Sequence, residues 1–421
     1  MYTLEEWVRH GDELRRPLLV NHNLSKSKEV TIVGGGLSGL SIAYRIGTAR
    51  PDLRIRLLEK TSRLGGVIET WRQGEWVCDL SVNAVRPHPS FWRLVEDLGM
   101  EESFSPSRES ATSRWVLLGG RKHKLSFTTI LKIGPLGLLK GWLNSKKTGS
   151  SVLDILQNRE IADAMTLGIV NDRAAEVDAN FLFPRLTGFG SSPPKGNRRI
   201  KRMISESYPI FTPRKGSLAS MDGGMEEIIH GLSDALTELD NVVITKEANG
   251  SSPSEVSFSY GVPLSSIIWA SGLPKREVDQ SSLSIYAVGY PEEEISRVDV
   301  GYGTLIPDSN IPISGILHES DVHSSRRAPS GHRLFRLMVP HDRWDGEEAA
   351  VRDALANLPG FSPEPVLFQK IGERSIPRFP PGHLSSLSKF GEDFSLAGWT
   401  ASGVSVTHVV DEAERISELF T

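Results

Sequence analysis

Three glycines, an acid and an arginine carry the chemistry that can be read first. Gly34, Gly36 and Gly39 make a G-x-G-x-x-G pattern directly after Val30-Thr31-Ile32-Val33, a β-branched run that reads as a buried parallel strand. The sequence then becomes apolar with helical period. Strand, glycine turn and helix in that order make an anion site. One glycine allows the tight turn, one lets backbone approach a pyrophosphate, and one lets helix and strand pack closely, while the free N–H groups of the helix face the phosphates. Gly35 and Ser38 lie in the same turn and join the candidate set. A second strand, Ile55-Arg56-Leu57-Leu58, ends at Glu59, about 20 residues beyond the last glycine, where a carboxylate accepts from ribose hydroxyls. An acid here argues against a 2′-phosphate. Glycines also occur in turns for conformational reasons alone, so the argument for a dinucleotide rests on strand, helix and acid standing in register.

After Glu59 and Lys60 come Arg63, Gly65 and Gly66, which complete E-x-x-x-R-x-G-G. A plain turn would also explain the two glycines, and a surface ion pair with Glu59, worth under about 1 kcal/mol, would explain Arg63. Near the other end, Phe394 to Ala413 reads as a strand, Ser395-Leu396-Ala397, broken at Gly398 and followed by a helix that begins after Gly403-Val404-Ser405-Val406. Such a helix start can aim its positive end at the electron-rich edge of a reduced flavin, or it can simply close the fold. Between these blocks, a glycine turn and helix from Ser217 lead to the short strand Val242-Val243-Ile244, and a further strand runs from Ser265 to a small-residue turn at Ser271-Gly272. These add layers to the nucleotide sheet, with Val243 a candidate cofactor contact.

The chain has 421 residues and a net charge of −4. That length suggests two or three domains, and the charge gives no reason to expect nucleic acid as a partner. The single cysteine, Cys78, excludes an intrachain disulfide framework and a multi-cysteine metal site; it fits a reducing compartment and reads as a small buried hydrophobe. There is no apolar run long enough to span a bilayer. The first 28 residues carry Glu5, Glu6, Asp12 and Glu13 without an apolar core, unlike a signal or transit peptide, and read as a helical or disordered extension.

Between the nucleotide blocks, Val67 to Leu80 reads as a hairpin turning near Gln73-Gly74, Ser90 to Leu98 as an amphipathic helix, and Arg114 to Leu125 as a hairpin turning at Gly119-Gly120. From Phe127 to Trp142 leucines, isoleucines and a tryptophan mix with Lys132 and Lys140, as in a membrane-interface segment. Pro135 and three glycines there favour an irregular, buried helical region instead. A helical stretch follows over Val152 to Leu167, then a loop from Gly190 to Arg202 whose basic cluster is either solvated or drawn to an anionic surface. Residues 283 to 380 read as strands with one helix, Gly346 to Leu358, forming a second, mostly antiparallel domain.

Together these blocks resemble the protoporphyrinogen oxidase family, within the FAD-dependent amine oxidase superfamily. GGGLSGL, EKTSRLGG and LAGWTASGVSV belong to the wider superfamily. RWVLLGGRKHKL, LGIVNDR and SLASMDGGMEEI support the resemblance, while VGYGTLIPDS at Val300 and SIPRFPPGH at Ser375 are narrower. The resemblance implies an α/β chain with a Rossmann-like FAD-binding domain (29–83, 214–280, 385–421), an antiparallel substrate domain (84–125, 281–384), a helical, membrane-docking segment (126–213) and the extension 1–28. It implies oxidation of protoporphyrinogen IX to protoporphyrin IX in haem biosynthesis, with oxygen as acceptor and hydrogen peroxide released, at a site with neither metal nor catalytic acid or base. Arg114 would hold a substrate propionate, Tyr302 and Leu305 would sandwich the macrocycle, and the Gly168 carbonyl would face the pyrrole N–H groups. Departures from the family stand at Ser81, Val82, Asn171 and Asp172, and Tyr302 carries a hydroxyl that needs a partner if buried; Asn83 is a residue many relatives share. Coproporphyrinogen III oxidation, an amine oxidase or desaturase, and an inactive flavin-binding homologue are the alternatives. A cytoplasmic protein peripheral to the inner face of a membrane is expected, with a homodimer left open.

Overall fold

The computed structural model describes residues 2–86, 88–125, 134–194, 197–207, 218–274, 279–361 and 364–421. Among them sixteen strands, numbered in chain order, form two main sheets and two strand pairs. The β-branched runs build a parallel sheet in the order β16 (Ser395–Leu396), β10 (Ile267–Trp269), β1 (Glu29–Val33), β2 (Arg54–Leu58), β9 (Val242–Thr245). Register runs from Glu29 opposite Arg54 to Val33 opposite Leu58. Because parallel strands are covered on both faces, Val30, Thr31, Ile32 and Val33 are all buried. Helix α2 (Leu37–Ala49) and the closing helix (Val406–Ser417) pack together on this sheet, with Leu40, Ala43, Val409, Val410 and Ala413 in one core.

The second sheet has the order β15 (Leu367–Pro377), β11 (Gln280–Pro291), β14 (His332–Pro340), β13 (Gly315–Leu317), β12 (Gly303–Leu305), β6 (Arg114–Leu118), β7 (Arg121–Lys124). It is antiparallel as expected, except that β12 and β6 run parallel, with Gly303 opposite Arg114 and Leu305 opposite Val116. Tyr286, Val288, Tyr290, Phe335 and Leu337 fill its core. The hairpin of β3 (Thr70–Gln73) and β4 (Trp76–Asp79) turns at Gly74, whose φ of 58° suits a residue without a side chain. The remaining pair is β5 (Phe104–Pro106) with β8 (Ala219–Met221).

A buried ionic layer ties the β3–β4 hairpin to the second sheet. Asp79 Oδ1 accepts from Thr70 Oγ1 at 2.6 Å and from Met225 N at 2.8 Å, while Arg336 on β14 donates to the Asp79 carbonyl and lies 3.1 Å from Glu319. Burial pushes the Glu319 carboxyl up, but Arg336, His323 and Arg327 together hold it down to about 2.

Four expectations need correction. The stretch over Val152 to Leu167 is two helices, Val152–Leu156 and Arg159–Val170, because Gln157 is left-handed at φ 54° and the Asn158 side chain accepts from Ile161 N at 3.1 Å, starting a new helix. Within the expected loop at 190–202 a helix begins, Asn197–Ser207, and Ile200 packs with Trp7 and Leu14. Glycines did not prevent a helix at Gly134–Asn144. A β-carbon at Gly141 would stand 2.1 Å from the Ile155 carbonyl oxygen, so this glycine serves close helix packing. Residues 126–133, which begin the apolar and basic stretch, lie outside the described residues, as do 195–196 of the basic cluster and 208–217, including Ser217.

The N-terminal 28 residues are the fourth case. They are ordered and built into the nucleotide domain. Helix α1 (Leu4–His10) starts at Thr3, whose Oγ1 accepts from Glu6 N at 3.2 Å. Leu396 N donates to the Leu19 carbonyl at 2.8 Å, extending the parallel sheet, and His10 Nδ1 sits 2.9 Å from Asp411 of the closing helix.

Candidate functional site

Each glycine of the first loop has a separate physical reason. Gly34, at φ +113°, makes the turn, and a β-carbon there would lie 3.0 Å from the Ala270 backbone. At Gly39 a β-carbon would lie 1.9 Å from the Gly34 carbonyl oxygen, so only glycine lets α2 begin so close to β1. Gly35 is enclosed by Leu64 and Glu59, with a β-carbon only 2.7 Å from Leu64 Cδ2. Gly36 differs: its backbone is extended and its projected β-carbon meets nothing nearer than Gly66 Cα at 3.8 Å.

The second glycine loop lies alongside. Gly65 N donates to the Gly35 carbonyl at 2.8 Å, and Gly66, at φ +59°, faces Gly36. The two loops leave a strip of backbone without side chains at the carboxyl end of β1. Ser38, in the first turn of α2, has a buried hydroxyl oxygen with no partner among the described residues. An open glycine strip, an orphaned hydroxyl and a helix N-terminus fit a pyrophosphate.

Glu59 is buried, and its carboxylate accepts from Gly35 N at 2.7 Å and from Thr61 N and Oγ1, both at 2.8 Å. It therefore braces the first loop and retains acceptor capacity. Lys60 beside it is exposed. Arg63 does not pair with Glu59: its guanidinium donates to the carbonyls of Leu64 and Ile68, each at 3.0 Å, and of Gly66, and so fixes the second loop. Val243 is not brought to the cradle. It pairs with Arg56 halfway along β9 and is 46% exposed, whereas the chain level with Glu59 is at Ala248, whose N donates to the Glu59 carbonyl at 2.9 Å. Ligands of such sheets sit beyond the strands' carboxyl ends, which is why a mid-strand residue stays remote.

On the other side of β1 the closing segment approaches. Gly398, at φ +96°, brings its α-carbon beside Ser38, and its N donates to Glu412 Oε2 at 2.7 Å. Gly403, at φ +118°, leaves no room for a side chain beside His408, whose Nδ1 accepts from Ser405 N at 3.2 Å. Val404 and Ser405 are half-buried and Val406 opens the helix, so its free N–H groups and positive end point out beside Gly398. Behind them lies a cavity lined by Glu13, Arg16, Ser402, His408, Glu412 and Arg415 among others. Burial pushes the Glu412 carboxyl up to about 8, so it is protonated at neutral pH. Burial and then the charge of Arg16 drive the His408 imidazole well down, so it is neutral.

The four residues expected on the substrate side form two contacting pairs. Arg114, half-buried at the start of β6, stacks its guanidinium 4.7 Å from the Tyr302 ring centre, a cation–π contact. The Tyr302 hydroxyl has the partner it needed, donating to Asn83 Oδ1 at 3.3 Å. Gly168 packs on Leu305, where a β-carbon would meet Leu305 Cδ2 at 3.2 Å. The departures from the family pattern are structural. Asn171 Nδ2 donates to Ser281 Oγ at 2.7 Å, and Asp172 meets Arg378 at 3.2 Å, pinning the end of helix Arg159–Val170 to the second sheet. Ser81 Oγ donates to the Val67 carbonyl, and Val82 packs on the nucleotide core.

Sequence reasoning missed Arg86, Glu412 and His408. Arg86 follows Asn83 by three residues and opens into a concavity: it is accessible to water yet surrounded by enough protein that burial, and then the charge of Arg114, lower its pKa. No short motif marks any of the three.

A family model for an NAD(P)-binding Rossmann-like domain matches residues 32–98. Human protoporphyrinogen oxidase is 24% identical over 257 residues, covering 50% of this chain and 51% of that protein. Coproporphyrinogen III oxidase of Staphylococcus aureus is 22% identical over 214 residues, covering 48% of this chain and 43% of that protein. The chain therefore spans about half the length of these curated relatives. A crystal structure from Exiguobacterium sp. 255-15, provisionally named as a protoporphyrinogen oxidase, superposes with a TM-score of 0.65 at 16% identity over 93% of this chain and 98% of that one. Solved amine oxidases superpose over the same share. The chain has the fold of the FAD-dependent amine oxidase superfamily. Its sequence similarity includes that superfamily's porphyrinogen-oxidising branch.

Proposed function

We propose that the protein is an FAD-dependent oxidase of a porphyrinogen, converting protoporphyrinogen IX to protoporphyrin IX in haem biosynthesis, with oxygen as acceptor and hydrogen peroxide as by-product. The observation that carries this reading is the Arg114 guanidinium stacked on Tyr302 with no carboxylate within 4 Å among the described residues. A cation held on an aromatic face and left without a protein counter-ion suits a flat, carboxylate-bearing ring better than it suits an amine. The Gly36–Gly66 strip, Ser38 and Glu59 would hold the dinucleotide half of FAD, and the start of the closing helix would face its ring. When bound, FAD supplies the two-electron acceptor for a hydride leaving a meso carbon. Arg114 fixes one edge of the substrate, Tyr302 and Leu305 offer apolar faces, and no carboxylate or imidazole is needed beside the reacting carbon. Glu412, protonated behind the helix, keeps a negative charge away from the helix start.

Similarity to a coproporphyrinogen III oxidase favours a second substrate, coproporphyrinogen III. Purified protein assayed with both porphyrinogens and with simple amines, following porphyrin fluorescence and peroxide together, separates these readings. Peroxide formed from amines alone would end the porphyrinogen reading.

Peripheral membrane attachment belongs to the same proposal. On helix Gly134–Asn144 the side chains of Leu136, Leu139, Trp142 and Leu143 are 83%, 54%, 55% and 49% exposed, and Lys146 stands 3.5 Å over the Trp142 ring. Among the described residues no helix is long and apolar enough to cross a membrane. An exposed apolar face with a cation at its edge suits lying in an interface.

A further inference from the structure

Buried arginines in this protein are matched with acceptors. Arg16 meets Glu13 at 2.8 Å, Arg333 meets Asp321 at 2.6 Å, Arg336 meets Glu319 at 3.1 Å, and Arg415 donates to the carbonyls of Glu13 and Arg16, each at 3.0 Å. The concavity beside Tyr302 is different. Arg86 and Arg114 are close enough for each cation to disfavour the other, and among the described residues neither has a carboxylate within 4 Å. Glu13, the acid whose charge reaches Arg86, is already committed to Arg16.

A third donor accompanies them. Asn83 is 5% exposed and gives its Oδ1 to the Tyr302 hydroxyl, which leaves its Nδ2 buried with no acceptor among the described residues. Leaving a buried donor unmet and two guanidiniums side by side is unfavourable for the protein alone. Both costs fall when an anion enters.

We propose that Arg86 acts with Arg114 as a paired anchor, so that the site selects substrates whose carboxylates lie together at one edge. The inference rests on the porphyrinogen reading for its substrate and deepens it by naming a second residue that sets specificity. Two planar donor forks can grip two neighbouring carboxylates or share one, and either arrangement fixes the ring's rotation in its own plane, which a single anchor leaves free. Arg86 lies on the segment after β4 and Arg114 on β6, so the pair also spans the two parts of the chain that meet at the concavity.

The test uses flavin-loaded wild type, Arg86→Ala and Arg86→Lys, with flavin content and thermal midpoint checked first. The probes are mesoporphyrin, a stable dicarboxylate, and its dimethyl ester, with binding read from porphyrin fluorescence. Arg86→Ala should weaken the diacid about tenfold or more and leave the ester within about twofold, with Arg86→Lys between. Equal binding of the diacid by wild type and Arg86→Ala overturns the proposal, as does an equal loss for acid and ester, which would make the role one of shape. Should the alanine variant fail to fold, the lysine variant carries the same comparison. If wild type binds neither porphyrin, the porphyrinogen reading fails by itself. The pair is then read with inorganic phosphate: a rise in thermal midpoint larger for wild type than for Arg86→Ala keeps the anion site, and equal rises remove it.

Discussion

Gly36→Ala should empty the cofactor site without disturbing the fold, and the neighbouring glycine provides the contrast. Gly36 lies at φ −76° and ψ 178°, a conformation open to any residue, and an added methyl would have its nearest neighbour at an ordinary 3.8 Å. The cofactor-free variant should therefore match cofactor-free wild type within about 0.5 kcal/mol. That same methyl fills the strip between the two glycine loops. Forfeiting a ligand held at 100 times its dissociation constant removes about 2.7 kcal/mol of linked stability. Gly39→Ala has the opposite signature, because its methyl would stand 1.9 Å from a backbone oxygen that cannot give way without moving α2. Overpacking of that kind costs about 1–3 kcal/mol whether or not a ligand is present. The assay is flavin content after purification, with thermal midpoints measured with and without added FAD. Wild type should gain stability from FAD, Gly36→Ala should not, and Gly39→Ala should start lower. A Gly36→Ala protein that purifies with full flavin and shows the wild-type gain would refute this account of the strip.

Arg114→Ala should raise KM for a porphyrinogen about ten- to a hundredfold, the worth of a charge-assisted hydrogen bond, with kcat falling as well only if orientation is lost; Arg114→Lys should be intermediate, and unchanged steady-state constants would remove Arg114 from the site. Glu412 holds its proton longer in the folded protein, so its ionisation lowers stability as pH rises from 4.5 to about 8; Glu412→Gln keeps an acceptor for Gly398 N and should flatten that decline in denaturant titrations at a series of pH values. His10, which burial lowers but Asp411 and Glu418 pull up to about 9, adds stability below 6.5 that is lost as pH rises through 9, so the difference between the two proteins is the readout. Replacing Leu136, Leu139 and Trp142 together by serine should weaken sedimentation with anionic vesicles by on the order of 1 kcal/mol per residue, in a way that added salt does not reproduce; equal binding of both proteins would count against the interface.

What could be read from the sequence was local. Gly34, Gly36, Gly39 and Glu59 lie within one strand–turn–helix–strand unit, and the β3–β4 hairpin and closing helix carry their own turn glycines, so short-range chemistry places them. The features that escaped depend on partners far along the chain. His10 is fixed by Asp411, 401 residues away, and that pairing turns an acidic N-terminal stretch into a built-in part of the nucleotide domain. Glu412 looks like any helix acid until Gly398 N and the surrounding packing bury it. Arg86 gains meaning only because β6 delivers Arg114 to the same concavity, and Asn158 ended one helix to start another with a hydrogen bond that hydrophobic period does not show.

The central claim is that electrons pass from a porphyrinogen to a flavin held at the Gly36–Gly66 strip. Mixing flavin-loaded protein anaerobically with protoporphyrinogen or coproporphyrinogen, and following flavin absorbance and porphyrin fluorescence together, tests it most directly. The account predicts flavin bleaching in step with porphyrin-pathway oxidation for wild type, much slower at the same substrate concentration for Arg114→Ala. Flavin that stays oxidised with both porphyrinogens, in protein confirmed to be folded and loaded, would contradict it.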